Sequence, residues 1–369
     1  MKNLKINCFF CFLLLVFWAG IGNAQMFNRT PTPNDTLHST RVLPNGDVVF
    51  QVYAPNAKNV TLGGDIVPWG TSLESKKAEN GVWSITVPNV TAGTYRYHFV
   101  IDGVKVYDPK APDAYKISAL IDVLPNGGDD FFALREDVPH GAVSAIQYYS
   151  TTTKTIRNMQ VWTPPGYNAK NNKLPVFYLI HGGGDSELAW PGVGRAGLIM
   201  DNLFAEGKCK EMIVVMPDGG MDVNLFVKDF VNDIIPYIES NYNVFKDAEH
   251  RALAGLSMGG LEVLEAFMAH PDMFAYINVM SSGWFADNKE MFENGDRRLA
   301  EIAPTLNKTV KYLIFTQGGP EDIAYNNGKE MLKVFDKNGI KYDFSEMPGG
   351  HSWLVWRNDL KNFAQKIFK

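Results

Sequence analysis

The stretch Ala252-Leu253-Ala254-Gly255-Leu256-Ser257-Met258-Gly259-Gly260 restricts what this chain can fold into more than any other. An apolar run enters it, and the helix-forming run Leu261-Glu262-Val263-Leu264-Glu265-Ala266-Phe267 leaves it. Gly-x-Ser-x-Gly between a strand and a helix predicts a sharp turn that lifts the Ser257 hydroxyl off the end of a sheet. Gly255 and Gly259 suit that turn, which tolerates almost no neighbouring side-chain bulk. The N–H groups at the helix start are then free to bind an anion. Ser257 is therefore a candidate nucleophile, provided the rest of the chain supplies a base and an acid.

With 369 residues, 46% of them hydrophobic and 20% charged, the chain is long enough for two globular units with sizeable cores. A formal charge of −5 and no long Lys/Arg run exclude a general nucleic-acid-binding character. Residues 1–24 read as a signal peptide: Lys2 and Lys5 precede the apolar run Phe9–Ala19, and Gly22-Asn23-Ala24 offers a small-residue cleavage site. The apolar run is short for a bilayer span. Its removal predicts a secreted or periplasmic protein of charge −7, with no membrane contact, whose remaining cysteine is Cys209. No internal disulfide can then form, so hydrophobic cores alone hold the fold.

From Arg41 to about Val123 short alternating runs predict strands at Val48–Tyr53, Asn59–Leu62, Val82–Val87 and Thr94–Val100. Turns at Pro44–Asp47, Gly63–Asp65 and Asp102-Gly103 separate them, which predicts a small β-sandwich over residues 25–125. A polar linker, 126–139, follows. From residue 140 to 369 strands alternate with helices: strands at Met159–Thr163, Pro175–Ile180, Met212–Met216, Tyr276–Met280, Val310–Thr316 and Tyr342–Met347, and helices at Gly194–Glu206, Val223–Tyr242, Asn327–Lys337 and Leu354–Phe368. That order predicts a mostly parallel sheet covered on both faces. Residues 140–369 hold a complete sheet pattern and every catalytic element, which predicts that they fold without the sandwich.

The base is expected near the C-terminus. Among His38, His98, His140, His181, His250, His270 and His351, only His351 follows a strand and a glycine pair, in Pro348-Gly349-Gly350-His351. The acid is expected after the strand Tyr312–Thr316, where Glu321 and Asp322 are adjacent candidates. The order Ser…acid…His is that of the α/β-hydrolase fold. In that fold a glycine turn after a strand gives one oxyanion N–H and the residue after the nucleophile the other; here they are Gly183, in His181-Gly182-Gly183-Gly184, and Met258.

Two resemblances sharpen these expectations. Val52-Tyr53-Ala54-Pro55-Asn56-Ala57, Gly81-Val82-Trp83, Gly93-Thr94-Tyr95-Arg96-Tyr97 and Val106-Tyr107-Asp108-Pro109 resemble carbohydrate-binding module family 48, an immunoglobulin-like sandwich. That family implies α-glucan binding through two tryptophans; Trp69 fits the first position, while Lys105 stands at the second, so a wall beside the active site is the expected role. Pro164-Pro165-Gly166-Tyr167, the His181–Gly184 turn, Gly194-Arg195-Ala196, Asp201–Gly207, Asp233–Glu239, His250-Arg251-Ala252, Phe274–Ile277 and Gly350-His351 resemble carbohydrate esterase family 1, feruloyl esterases included. The spacing of those relatives selects Asp322 over Glu321. The resemblance implies a secreted serine esterase acting on feruloylated or acetylated xylan, needing neither cofactor nor metal. Release of ferulic acid from arabinoxylan is the first expectation. Acetylxylan esterase is the alternative, and a non-catalytic carbohydrate-binding protein on a hydrolase scaffold is the rival of another class. A flat cinnamoyl group needs an aromatic pocket, and Trp284, after the Tyr276–Met280 strand, is a candidate wall. Nothing in the sequence sets the oligomeric state.

Overall fold

The computed structural model describes residues 30–111, 113–115, 118–125 and 130–369. The expected signal peptide lies outside the described residues, as do 126–129 of the linker. Among the described residues no helix is long and apolar enough to cross a membrane.

Residues 40–123 form two antiparallel sheets. One runs Thr40–Val42, Val48–Tyr53, Val82–Val87, Lys76–Lys77. The other runs Leu73–Glu74, Val60–Gly64, Gly93–Ile101, Ser118–Val123, Asp113–Tyr115, with Val104–Val106 paired to the long central strand. Alternation decides the inner faces: Val48, Phe50, Leu62, Tyr97 and Phe99 are buried between the sheets, whereas Arg96 and His98 point to the opposite side of their strand.

The hydrolase half is an eight-stranded sheet: β1 Ala142–Ser150, β2 Thr155–Thr163, β3 Val176–Ile180, β4 Ile213–Pro217, β5 Arg251–Leu256, β6 Tyr276–Met280, β7 Tyr312–Gln317 and β8 Asp343–Glu346. The order is β1-β2-β4-β3-β5-β6-β7-β8, with β2 antiparallel to both neighbours and the rest parallel. Every residue of β3 and β4 is buried, as a sheet with both faces covered requires. The covering helices are α1 Ala196–Ala205, α2 Val223–Asp229, α3 Ile235–Asn241, α4 Met258–Ala269, α5 Lys289–Thr309, α6 Tyr325–Lys337 and α7 Trp353–Ala364.

The helix expected over Val223–Tyr242 contains a π-helical segment, Phe230–Ile234, between α2 and α3. Pro236 lacks an N–H to donate four residues back, which loosens the α-helical ladder there. The two acids at this segment are engaged elsewhere: Asp229 accepts from the Tyr148 hydroxyl at 2.7 Å, and Asp233 from the Thr151 and Thr152 N–H groups at 2.9 and 3.0 Å.

The two halves share a core. Leu120 of the sandwich belongs to the hydrolase cluster around Trp190, Trp353 and Trp356, and Leu354 of α7 packs into the sandwich cluster. Arg357 of α7 is buried; its Nη1 donates to Val193 O at 2.9 Å and Thr94 O at 3.3 Å, and its guanidinium lies 5.0 Å from the Phe132 ring centre. Burial lowers its pKa to about 10, so it stays charged at neutral pH. Arg195 at the start of α1 reaches Asp113 at 2.7 Å and Asp122 at 3.0 Å. These contacts argue against the expectation that residues 140–369 fold alone, because removing the sandwich would expose the partners of Leu120 and strand Arg357.

Arg357→Ala should therefore destabilise the whole chain by about 3 kcal/mol, the range for breaking a buried charged hydrogen-bond set and leaving a cavity. Urea denaturation measures it, and Arg357→Lys should restore only part of the loss.

Candidate active site

Strand β5 carries the chain to Ser257, whose φ of 53° and ψ of −118° are rare for a side-chain-bearing residue. Its N–H donates to Met280 O at 2.9 Å, and the Ser282 hydroxyl donates to Ser257 O at 2.6 Å. The flanking glycines are there for space. A Cβ on Gly255 would stand 2.3 Å from Gly259 O, and one on Gly259 would stand 2.3 Å from His181 O.

The Ser257 hydroxyl lies 2.9 Å from His351 Nε2, and His351 Nδ1 lies 2.8 Å from Asp322 Oδ1. A carboxylate only accepts, so Nδ1–H donates to Asp322 and Nε2 is left to accept from Ser257. Asp322 also accepts from the Ala324 N–H at 2.9 Å and the Gly318 N–H at 3.2 Å. Burial pushes its carboxyl up, and the hydrogen bond from His351, with others, more than offsets it, so the group sits below its ordinary range. Glu321 turns instead toward Gly319 and Gly350 and makes no bond to His351. The acid loop after β7 and the histidine loop after β8 are stitched by the Gly319 N–H, which donates to Gly349 O at 2.7 Å. The Trp356 ring stands perpendicular to the imidazole, with 4.9 Å between ring centres.

Gly183 and Met258 lie beside Ser257: a Cβ on Gly183 would meet Met258 Cγ at 3.0 Å, and one on Gly182 would meet Ser257 Cβ at 3.2 Å. The N–H groups of Gly183 and Met258 carry no hydrogen bond among the described residues. His181 orients this turn. Its Nδ1 is 2.8 Å from Gly182 O, which can only accept, so Nδ1–H donates there, while Nε2 lies 2.9 Å from the Gly219 N and 3.2 Å from Asp218 Oδ1. In a trans peptide C=O and N–H point oppositely, so drawing the Gly182 carbonyl toward His181 turns the Gly183 N–H away from it.

The cleft over Ser257 has a volume of about 740 Å³ and lies between the two halves. Gly183, Ser257, His351 and Trp353 line one side; Thr94, Arg96 and Trp69 of the sandwich line the other. Trp69 is 99% exposed. The expected wall Trp284 is absent from this lining. It is buried, and its ring packs against Gly295 and Phe292 of α5. The sequence expects the sandwich to wall the active site and names Trp69 as a sugar-platform candidate; it does not reveal that Arg96 lines the cleft, since alternation shows only that Arg96 faces outward.

Residues 150–367 match the Esterase family model, and residues 37–119 match carbohydrate-binding module 48, the isoamylase N-terminal domain. An endo-1,4-beta-xylanase/feruloyl esterase of Xylanibacter ruminicola is 33% identical over 94% of this chain and 49% of that protein, so this chain spans about half its length. The solved CE1 ferulic acid esterase of Anaeromyces mucronatus is 25% identical, with a TM-score of 0.57 over 65% of this chain and 95% of that one. Enterochelin esterase of Shigella flexneri superposes over 91% of this chain and 97% of its own, with a TM-score of 0.66 at 14% identity, a likeness of fold alone. The match over 150–367 makes this chain a member of the Esterase family, carrying a carbohydrate-binding module 48 domain ahead of its α/β-hydrolase sheet.

Proposed function

We propose that this chain is an exported serine esterase that releases ferulic or a related hydroxycinnamic acid from arabinoxylan-type polysaccharide. The observation that carries the serine chemistry is the unbroken series Ser257–His351–Asp322 at 2.9 and 2.8 Å, set on a strained turn beside two open N–H groups. The relatives named for feruloyl ester cleavage supply the substrate class. The division into a leader at 1–24, a sandwich at 25–125, a linker at 126–139 and a hydrolase at 140–369 belongs to the same proposal.

In the reaction so assigned, Ser257 Oγ attacks the ester carbonyl while His351 Nε2 takes its proton. Asp322 holds the imidazole in the needed tautomer and faces the positive charge that forms on it. The carbonyl oxygen becomes an oxyanion held by the Gly183 and Met258 N–H groups. Collapse breaks the bond to the sugar oxygen, which leaves with the proton from His351. Water then attacks the acyl-serine, His351 takes its proton, and a second collapse frees the acid and restores Ser257. The acyl group and the sugar must share the cleft, so the sandwich wall faces the part of the substrate that reaches away from Ser257.

Ser257→Ala should lower kcat on methyl ferulate by at least about 10⁴-fold, and Asp322→Asn by about as much. Glu321→Gln should change it by less than about tenfold, a limit near 1.4 kcal/mol. If Glu321→Gln proves the worse of the two acid variants, the acid is Glu321. Comparing kcat/KM on methyl ferulate with that on 4-nitrophenyl acetate tests the acyl group, and a preference for acetate would turn the reading to acetyl release.

A sugar stacked on Trp69 gains on the order of 1.4 kcal/mol. Trp69→Ala should accordingly lower kcat/KM on feruloylated arabinoxylan about tenfold and leave methyl ferulate unchanged. Equal effects on both substrates would remove Trp69 from the polysaccharide site.

A further inference from the structure

The Gly182-Gly183-Gly184-Asp185 turn has little rigidity of its own. Three of its four positions are glycines, Gly184 sits at a φ of 79°, and the closing bond from the Asp185 N–H to Gly182 O is 3.3 Å long. Glycine fixes a backbone only at a large entropic cost, and an oxyanion donor serves only if it is already aimed when charge develops. Such a turn needs anchors at both ends. His181 supplies the first, through its bond to the Gly182 carbonyl.

The second anchor comes from the other domain. Asp185 Oδ1 accepts from Arg96 Nη1 at 2.7 Å, with the Asp185 side chain 11% exposed. Arg96 is itself held in its own sheet, where Nε donates to Asp65 Oδ2 at 2.6 Å and Nη2 to Asp65 Oδ1 at 3.2 Å. The Asp65 N–H in turn donates to Arg96 O at 2.9 Å. The guanidinium is thus a two-ended bracket whose fork geometry suits two carboxylates at once. Burial works against its charge, and the two carboxylates raise its pKa above the ordinary arginine value.

We propose that Arg96 of the sandwich is a positioning residue for ester hydrolysis: by holding the Asp185 carboxylate it keeps the glycine turn in the shape that presents the Gly183 N–H to the oxyanion. The module that resembles a carbohydrate binder thereby completes the catalytic apparatus of the neighbouring domain. This rests on the serine-esterase reading above.

The test compares Arg96→Met, Asp185→Asn and their double variant with Arg195→Met, all in the full chain. Arg195 also joins the two halves, through Asp113 and Asp122, but at the start of α1 and not at the turn. The readouts are kcat and KM for 4-nitrophenyl acetate, an ester small enough to dispense with the polysaccharide wall, and the rate at which a fluorophosphonate labels Ser257. Losing one oxyanion donor outright costs about 10²–10³-fold, so misaiming it should lower kcat and the labelling rate by about 10- to 100-fold, with KM within about threefold. The double variant should be no worse than either single one, because both break the same contact. Arg96→Lys should recover part of the rate, and Arg195→Met should lower the thermal midpoint while leaving kcat within about threefold. Unchanged kcat in folded Arg96→Met, or an equal loss in Arg195→Met, overturns the proposal. Should Arg96→Met fail to fold, unchanged kcat in Asp185→Asn overturns it alone. A wild-type chain that the fluorophosphonate does not label would instead sink the serine-esterase reading, so the two failures are told apart.

Discussion

Ser257 sits in a backbone conformation that an isolated peptide would abandon. Residues so placed cost on the order of 1–3 kcal/mol and persist only where their surroundings over-determine them. Here the surroundings are the sheet and helix α4, packed so closely that Gly255, Gly259 and Gly260 have no room for a side chain. The strain sets the geometry of everything else. It puts the hydroxyl above the strand ends, leaves the Met258 N–H open at the start of α4, and brings the serine within 2.9 Å of a histidine 94 residues later in the chain. The acid and histidine loops leave adjacent strands β7 and β8 at the same end of the sheet, so parallel topology delivers both to one point.

The parts of the site that depend on local sequence are legible in the sequence alone. The elbow is a contiguous motif between two strongly patterned elements. The residues around His351 and Asp322 are punctuated by glycines after apolar strands, and such punctuation marks loops at strand ends. Elements were missed where burial, not local pattern, decides structure. Strand β1 is an edge strand whose outer residues are mostly exposed, so it lacks the apolar run that marked its neighbours. Helix α5 buries only a narrow stripe, Gly295, Leu299, Ala303 and Leu306, on an otherwise polar surface, and carries Pro304 in its interior. Trp284 failed for a related reason: its position after a strand places it near the catalytic end of the sheet, yet whether its ring faces cleft or core depends on α5, which the pattern did not reveal.

The relation between the domains is the part least accessible to sequence. Arg96, Arg195 and Arg357 look like ordinary surface cations in one dimension, and each proves to cross from one half to the other. Sequence could flag Trp69 as the one retained platform aromatic. The packing puts Trp69 itself in the lining of the cleft that contains Ser257. A fold used elsewhere to hold sugars is here a wall of the reaction vessel.

The contact between Arg357 and Thr94 joins residues 263 positions apart. The sandwich strands are complete by residue 123, whereas the helix that supplies Arg357 and Leu354 is the last element of the chain. During synthesis the N-terminal half must therefore wait, with Leu120 and the Thr94 carbonyl uncovered, until nearly the whole hydrolase has emerged. Non-local closure of this kind is slow, and half-finished chains expose apolar surface while it proceeds. A cleft built from segments so far apart in sequence leaves apolar surface uncovered until the later one is made, and no disulfide among the described residues bridges the wait.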